Sequence, residues 1–262
     1  MSQQPSDDRY SIKVVERCFQ ILDLACSLQR PVSIPDVIQE LGVNANMAFR
    51  LLQSIAGTGY MEKDPETGLY SLSMKTLRLS TTALQSQTLR KLTMPHLELL
   101  WTRYPKANVN MAIRSGDDIL IVDRIDGQSM PRTYFTPGKK VPFHCSGLGK
   151  VLTCTLSEDE IRAMAEREGL KAFTENTITD ADALVKELAS VRAEGVGRDR
   201  NEFIPRDNCS AVPILDKNGQ IVAAISVSAL EDNMSADEIE ACIPKLKETA
   251  SCISMRIGYS VL

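Results

Sequence analysis

Residues 44–56 carry the side chains whose types and spacing point most directly to a chemical task. With about 100° of rotation per residue, one arc of the predicted helix is apolar and contains Met47, Ala48, Leu51, Leu52 and Ile55. The opposite arc holds Asn46, Phe49, Arg50 and Gln53. Asn, Gln and Arg side chains can bond to two atoms of a base edge at once, so this arc suits base recognition in duplex DNA. A solvated surface helix is the alternative, and the stretch alone does not choose between the two.

Ser226 and Ser228 belong to a second set of polar residues, far along the chain. Alternation along the strand predicted at 220–229 places both hydroxyl groups on one face. Gly147 and Leu148 open another predicted helix after a turn, where bare backbone and unpaired N–H groups can meet an anionic ligand. The alternative for the two serines is a sheet face exposed to solvent, and the alternative for the stretch at Gly147 is an ordinary tight turn.

Asp199 and Cys209 bracket an irregular polar segment that lies between those two stretches. A chain seldom keeps such a segment without regular structure unless the segment lines a site. Both residues therefore join the candidate ligand pocket. The alternative for both is a buried structural role, which is the commoner one for a free cysteine.

The residues that could support catalysis are few. His144 and Cys145 look like a base beside a nucleophile, but adjacent residues on a strand point to opposite faces, so the imidazole could not activate the thiol in place. The other histidine, His96, falls in a different predicted helix, and the chain lacks the ligand spacing of a zinc site. It also has no Walker loop and no GxSxG motif. The sequence therefore predicts no enzymatic activity, no metal site and no cofactor.

The composition is that of an ordinary globular protein. The 262 residues are 43% hydrophobic and 24% charged, which fits one large domain or two modest ones. No apolar run reaches the roughly eighteen residues of a membrane span, and the amino-terminal residues are polar, so we expect a cytoplasmic protein. The seven cysteines have no CxxC spacing and are expected to be reduced thiols.

The charge distribution argues against strong general attraction to DNA. The net charge is −4, and residues 1–75 carry 7 Lys and Arg against 9 Asp and Glu. Residues 76–106 carry 5 against 1. If the first stretch binds DNA, its few positive charges must lie on one side, and its attraction to phosphate must be modest.

Three helices are predicted near the amino terminus, and the base-recognition arc lies on the third. Ser33 and Asp36 form a capping-box-like start for the second helix, and Gly42 is a plausible left-handed end. Only Val43 separates Gly42 from Asn44, whose side chain can cap the third helix. This turn has the length that helix-turn-helix units use.

A hairpin is predicted after the third helix, from two short strands around a Pro and Gly turn at 60–72. Three helices and a hairpin are the order of elements in a winged helix, where the third helix enters the major groove and the hairpin touches the backbone beside it. Lys63 in the hairpin, with Arg9 and Lys13 at the amino terminus, is then expected to contact phosphate. The alternative is a surface hairpin that touches nothing. We assign residues 1–73 to this domain.

Residues 74–106 are predicted to be linker helices. The second helical segment holds Leu97, Leu100 and the chain's only tryptophan, Trp101. Apolar residues on a connecting helix call for a partner, and a second copy of the same helix is the simplest one. We therefore expect a homodimer, because two recognition helices about one DNA turn apart gain affinity that one cannot supply.

From residue 107 onward the predicted strands alternate with helices. Capping boxes begin helices at Ser157 and Ser235, and a hairpin is predicted across the turn at 216–219. Residues 107–262 are thus predicted to form an α+β domain whose antiparallel sheet carries helices on its faces.

Several ordered motifs give the chain a family resemblance over about residues 10–258. They are Phe49-Arg-Leu-Leu-Gln53, Pro142-Phe-His-Cys-Ser-Gly-Leu-Gly-Lys150, Gly195-Val-Gly-Arg-Asp199, Cys209-Ser-Ala-Val-Pro213 and Val222-Ala-Ala-Ile-Ser-Val-Ser228. The chain resembles the isocitrate lyase regulator (IclR) family of bacterial transcription factors. The resemblance implies a winged-helix domain and a GAF-like effector domain, assembled as a dimer or a dimer of dimers on a palindromic operator. It also implies a small effector, often a carboxylate or an aromatic acid.

The resemblance further assigns the ligand residues. Positions that line the pocket in similar proteins match Gly147, Leu148, Asp199, Cys209, Ser226 and Ser228. Positions that close it match Met130, Thr133 and Val141. The chain departs from the family pattern at Asn44-Ala-Asn46, where hydroxyl and basic residues are usual, so the operator sequence is left open. The alternative function is an effector-independent DNA-binding protein whose second domain only dimerises.

Overall fold

The computed structural model of the chain describes residues 12–28, 30–79, 82, 88–127 and 136–259. Contacts within the chain divide it into two units, residues 1–86 and 87–262. Among the helices of these described segments, none has the length and apolar character needed to cross a membrane.

Helix boundaries in the first unit follow its capping residues. The elements are α1 (Lys13–Leu28), α2 (Ile34–Leu41), α3 (Ala45–Gly57), β1 (Met61–Lys63) and β2 (Tyr70–Leu72). Ser33 and Asp36 form a capping box at the start of α2, and Gly42 ends that helix with a φ of 61°. Oδ1 of Asn44 accepts a hydrogen bond from the Met47 backbone N–H at 2.9 Å and so caps α3. The short turn of a helix-turn-helix therefore joins α2 to α3.

Tyr70 fixes the hairpin to the helices of the first unit. It is fully buried, together with Ile21 and Leu52 from the helical core. Lys63 on β1 pairs with Tyr70 on β2, and the Tyr70 backbone exchanges two hydrogen bonds with Val32, of 2.7 and 2.9 Å. The hairpin is thus a wing attached to the core, and the first unit is a winged helix-turn-helix.

The described part of the second unit has twelve named elements, six helices and six strands. The helices are α4 (Thr88–Arg103), α5 (Gly147–Thr153), α6 (Glu158–Glu168), α7 (Ala181–Glu194), α8 (Ala236–Glu240) and α9 (Ile243–Arg256). The strands are β3 (Asn108–Ser115), β4 (Asp118–Ile125), β5 (Lys140–Val141), β6 (Gly197–Arg200), β7 (Asp207–Leu215) and β8 (Ile221–Leu230). They form one antiparallel sheet in the order β5-β4-β3-β8-β7-β6.

Strand alternation gives this sheet two apolar faces, each covered by helices. One face presents residues such as Val109, Ile225 and Val227, which pack with residues of α4 and α9. The other face presents Ala112 and Ala224 among others, packed with residues of α5, α6 and α7. The unit is therefore a helix-sheet-helix sandwich, and the predicted α+β fold is confirmed.

Helix α4 corrects one expectation from the sequence. Leu97 and Leu100 are 0% and 1% exposed because they pack in the core of their own unit. Trp101 is partly buried there, and its Nε1–H donates to the Asp126 carbonyl oxygen at 2.9 Å. The expectation that Leu97 and Leu100 pack against a partner chain was therefore wrong, because the sheet and α9 already provide their apolar surroundings.

Lys150 on α5 is a fully buried charge that ties three segments of the second unit together. Its Nζ donates to Glu202 Oε1 at 2.6 Å, to Glu187 Oε1 at 2.9 Å and to the Arg198 carbonyl oxygen at 2.8 Å. A buried ammonium is tolerated only with such complete pairing. The position of α5 against β6 and α7 therefore depends on this lysine.

We predict that Lys150→Met lowers the free energy of unfolding of the second unit by about 3 to 5 kcal/mol, because it leaves the buried Glu202 carboxylate without its cation. Adding Glu202→Gln to that variant should restore part of the loss. Urea unfolding followed by circular dichroism measures both effects. Lys186→Met, at an exposed position on α7, is the control and should stay within about 0.5 kcal/mol of wild type. Equal unfolding midpoints for Lys150→Met and wild type would contradict this account.

Candidate functional site

The first candidate site is the exposed face of α3. Asn46, Phe49 and Arg50 are all exposed, and Phe49 shows 42% of its surface. The opposite side of the helix buries Ala48, Leu51, Leu52 and Ile55. A polar face with one exposed aromatic ring therefore projects from a helix whose other side is fixed in the core, an arrangement that can enter a major groove.

Gln53 and Lys63 join this face to the wing. Nε2 of Gln53 donates to the Tyr70 hydroxyl at 3.0 Å, so a base contact through this amide group requires release of that bond. Nζ of Lys63 lies 5.9 Å from the centre of the Phe49 ring and 5.8 Å from the centre of the Tyr70 ring. The wing thus holds its cation beside the recognition face, where a phosphate could meet it.

Three further residues were predicted to contact DNA, and the structure describes two of them. Lys13 is exposed at the first position of α1. Asn44 is exposed, and its side-chain oxygen is engaged in the cap of α3. Arg9 lies outside the described residues.

The second candidate site is a buried polar row on the sheet face that also contacts α5. Strand register aligns Asp199, Cys209, Ser228 and Asn108 across β6, β7, β8 and β3. The neighbouring row runs through Ser226 on β8. Four of the predicted ligand residues, Asp199, Cys209, Ser226 and Ser228, therefore face the same side of the sheet and lie next to one another.

Gly147 brings the start of α5 against the same rows. A Cβ atom added at Gly147 would lie 3.2 Å from Cys209 Sγ and 3.0 Å from the Gly197 carbonyl oxygen. A Cβ atom added at Gly197 would lie 2.4 Å from the Gly147 carbonyl oxygen, closer than real Cβ atoms come. The helix start and β6 thus approach each other through two glycines. Leu148 turns its side chain into the apolar core, so only its backbone is available to a ligand.

Of the three predicted closing residues, the structure describes only Val141. Val141 pairs with Ile119 and lines a cavity of about 360 Å³ with Phe143 and Phe203. The six other predicted ligand residues that the structure describes do not line that cavity. Met130 and Thr133 lie outside the described residues.

Asn108 and Asn110 on β3 are polar residues of the same rows that the sequence analysis missed. Nδ2 of Asn110 donates to Ser226 Oγ at 3.3 Å and to Ser228 Oγ at 3.4 Å. Nδ2 of Asn108 is buried and has no hydrogen-bond partner among the described residues. The signal was available: two asparagines alternate with apolar residues in 108–112, in the same pattern that marked the two serines.

Two buried carboxyl groups lie at the end of these rows. Burial raises the pKa of Asp199 to about 8, although the backbone N–H of Glu202 donates to its carboxylate at 2.7 Å. Burial raises the pKa of Asp207 to about 7, partly offset by the positive charge of Arg124. Near neutral pH both groups therefore carry much less than a full negative charge.

The thiols and imidazole do not form a nucleophilic site. Burial raises the pKa of the Cys145 thiol far above its ordinary range, and burial also raises that of Cys209, so both remain neutral. Nε2 of His144 is 3.1 Å from the Lys171 carbonyl oxygen, and Nδ1 of the same ring is buried without a hydrogen-bond partner among the described residues, so neither ring nitrogen bonds to the Cys145 thiol. Within the described segments, no cluster of three or more candidate metal ligands occurs.

A winged helix-turn-helix followed by this α+β unit defines the class of protein as a two-domain DNA-binding regulator. Residues 81–255 match the family described as bacterial transcriptional regulator IclR C-terminal. The chain belongs to the IclR family of bacterial transcriptional regulators, as its motifs indicated.

Individual relatives agree over nearly the whole chain. The HTH-type transcriptional regulator KdgR of Escherichia coli K12 is 30% identical over 250 residues, covering 95% of this chain and 94% of its own. The regulator XynR of the same organism is 28% identical and covers 95% and 98%. An IclR family regulator from Brucella abortus shares the fold with a TM-score of 0.79 at 24% identity, covering 96% and 95% of the two chains. Since these relatives are transcriptional regulators, the chain is a regulator and not an enzyme.

The raised pKa of Asp199 gives a prediction about stability and pH. The folded chain keeps a proton on Asp199 that the unfolded chain loses above about pH 4, so this group makes unfolding easier as pH rises from about 4 to about 8. Asp199→Asn removes this titration, so the free energy of unfolding should fall less between about pH 5 and 8 than it does in the wild type. Urea unfolding at a series of pH values measures this free energy. Asp232→Asn, at an exposed position, should leave the profile unchanged, and parallel profiles for Asp199→Asn and wild type would contradict the account.

Proposed function

We propose that this regulator binds a palindromic operator as a dimer or tetramer and is switched by a small organic acid that occupies the second unit. In this proposal residues 1–73 bind DNA, residues 74–106 link and help to dimerise, and residues 107–262 bind the effector. The observation that carries the proposal is the buried polar row on the sheet face beside Gly147. A cytoplasmic location follows from action on DNA.

An unpaired donor supports a ligand in this row. Burying a polar group without a hydrogen bond costs about 1 to 3 kcal/mol, and Nδ2 of Asn108 is buried without a described partner. The hydroxyl groups of Ser226 and Ser228 share one donor, Asn110 Nδ2, through long bonds of 3.3 and 3.4 Å. A ligand with several oxygen atoms would improve all of these bonds.

The charges of the pocket favour an acid as the ligand. The raised pKa values of Asp199 and Asp207 reduce the repulsion that an incoming carboxylate would meet. Arg124 adds a positive charge, since its Nη1 lies 3.4 Å from Asn110 Oδ1 and its side chain is 6% exposed. The backbone N–H groups at Gly147 and Leu148 are further proposed donors. Met130, Thr133 and Val141 remain proposed as closing residues.

DNA recognition is proposed to rest on Asn44, Asn46, Phe49, Arg50 and Gln53, with phosphate contacts from Lys63, Arg9 and Lys13. Phe49 would touch a thymine methyl group, and Arg50 would bond to a guanine. Two copies of α3 about one helical turn apart would match the two halves of a palindrome. The effector moves the balance between DNA-binding and released arrangements only by its difference in affinity for the two.

We predict that Arg50→Ala loses about 1 to 3 kcal/mol of discrimination at one base pair of each operator half-site. Gel-shift titrations against single-base operator variants measure the loss. Arg50→Lys should show a similar loss, because a lysine keeps the charge and lacks the paired donors. Arg78→Ala, at an exposed position after the wing, should leave the base preference unchanged. An unaltered preference at every position for Arg50→Ala would refute the role of this residue.

For the pocket, Ser226→Ala combined with Ser228→Ala should abolish stabilisation by the responsive acid and leave operator affinity intact. A thermal-unfolding screen of the wild type against aliphatic and aromatic acids identifies that acid, because a ligand that binds only the folded state raises its apparent stability. Ser210→Ala is the matched control, since Ser210 is also buried but pairs with Val227 on the opposite sheet face. Full response in the double variant would overturn the pocket assignment.

A further inference from the structure

We propose that Arg124 and Asp123, consecutive residues of β4, connect the polar pocket to helix α4 and act as positioning residues. When a ligand occupies the pocket, these two residues alter how α4 is held, and α4 is the helix that leads toward the DNA-binding end of the chain. This inference rests on the proposed function of the pocket. It adds the route by which occupancy of the pocket reaches the helix that follows the first unit in the chain.

Arg124 forms the pocket end of the route. Its Nη1 donates to Asn110 Oδ1 at 3.4 Å, and Asn110 Nδ2 bonds in turn to the hydroxyl groups of Ser226 and Ser228. Two carboxyl groups interact with the same guanidinium: Asp126 accepts a hydrogen bond from its Nε, and its positive charge partly offsets the raised pKa of Asp207. An acid that binds at the serines therefore competes for Asn110 and Arg124 and alters what Arg124 contacts.

Asp123 forms the helix end. The Arg124 backbone N–H donates to Asp123 Oδ1 at 3.1 Å, and Arg90 Nε of α4 lies 2.7 Å from Asp123 Oδ2. The Asp123 side chain is 6% exposed and the Arg90 side chain 37% exposed, so the carboxylate of this ion pair is buried while its guanidinium reaches solvent. A shift of the backbone at Arg124 therefore acts directly on the bond that holds α4.

Asp126 provides a second attachment close by. Its side chain bonds to Arg124, and its carbonyl oxygen accepts the Trp101 Nε1–H bond at 2.9 Å. Two residues close to Arg124 in the chain therefore contact α4. Asp123 contacts Arg90 near the start of the helix, and Asp126 contacts Trp101 near its end. Because Arg90 and Trp101 lie three turns apart at about 1.5 Å per residue, a change at Arg124 acts on most of the helix length.

β4 contains a bulge directly before Asp123, where its regular pairing with β3 is interrupted. Met111 pairs with Asp123 and Ala112 pairs with Ile121, so Val122 is the extra residue on β4, directly before Asp123. Bulges leave a residue outside the regular ladder and redirect the side chains beside them. The segment that bonds to α4 is therefore the part of β4 that the ladder constrains least.

The test requires neither the effector nor the operator. We would measure backbone amide hydrogen exchange in the full-length wild type, in Asn110→Ala, in Asp123→Asn and in the double variant. Asn110→Ala should speed exchange in residues 88–103 by about threefold or more. In the Asp123→Asn background, the same substitution should have a clearly smaller effect, because only the attachment through Asp126 remains. Trp101, the chain's only tryptophan, gives a second readout through its fluorescence emission.

Asn208→Ala is the matched control. Asn208 is equally buried on β7 and bonds to Asn201 and Glu231 instead of β4, so its loss should leave residues 88–103 unchanged. Exchange in α7, which packs on the opposite face of the sheet from α4, serves as the internal reference for general loosening, and Asn110→Ser replaces Asn110→Ala if the latter fails to fold. Equal effects of Asn110→Ala in both backgrounds, no effect on α4, or the same effect from Asn208→Ala would overturn the proposal. Failure of the acid screen would instead count against the proposed function.

Discussion

The burial of hydrogen-bonding side chains on an otherwise aliphatic sheet face is the constraint on which the second unit depends. Such groups need partners, and several of them find their partner on a neighbouring strand. Asn110 joins β3 to β8 through the two serines, and it also accepts from Arg124 on β4. The register of the central strands is therefore set by polar pairing as well as by apolar packing. Nδ2 of Asn108 has no partner among the described residues, and we propose that a ligand completes the pairing there.

Local signals made much of the fold predictable from the sequence. The capping box at Ser33, the left-handed Gly42 and the cap at Asn44 act within a few residues, so they could be recognised without the tertiary structure. Strand alternation likewise identified Ser226 and Ser228. What brings them to Cys209 is strand register, which depends on residues far apart in sequence. Alternation could therefore indicate a shared face but not the neighbours on it.

Some features of the second unit could not be predicted from the sequence, because they depend on packing and electrostatics in the folded chain. Leu97 and Leu100 had the same apolar pattern whether their partner was another chain or their own sheet, and only the structure shows the latter. The pKa values of Asp199 and Asp207 rise because of burial, which no local motif encodes. An ordinary tight turn was one interpretation of Gly147, whereas the structure shows that Gly147 and Gly197 permit the close approach of α5 to β6. These are properties of the assembled unit.

The central claim is that one chain couples an acid in the second unit to an operator on the first, and linkage makes that coupling reciprocal. The most direct measurement is the affinity of the full-length protein for the acid found by thermal screening, determined by calorimetry with and without saturating operator DNA. The account predicts that operator DNA changes the acid's dissociation constant by the same factor by which the acid changes that of the operator, about 5- to 150-fold. Equal affinity for the acid with and without operator DNA would contradict it.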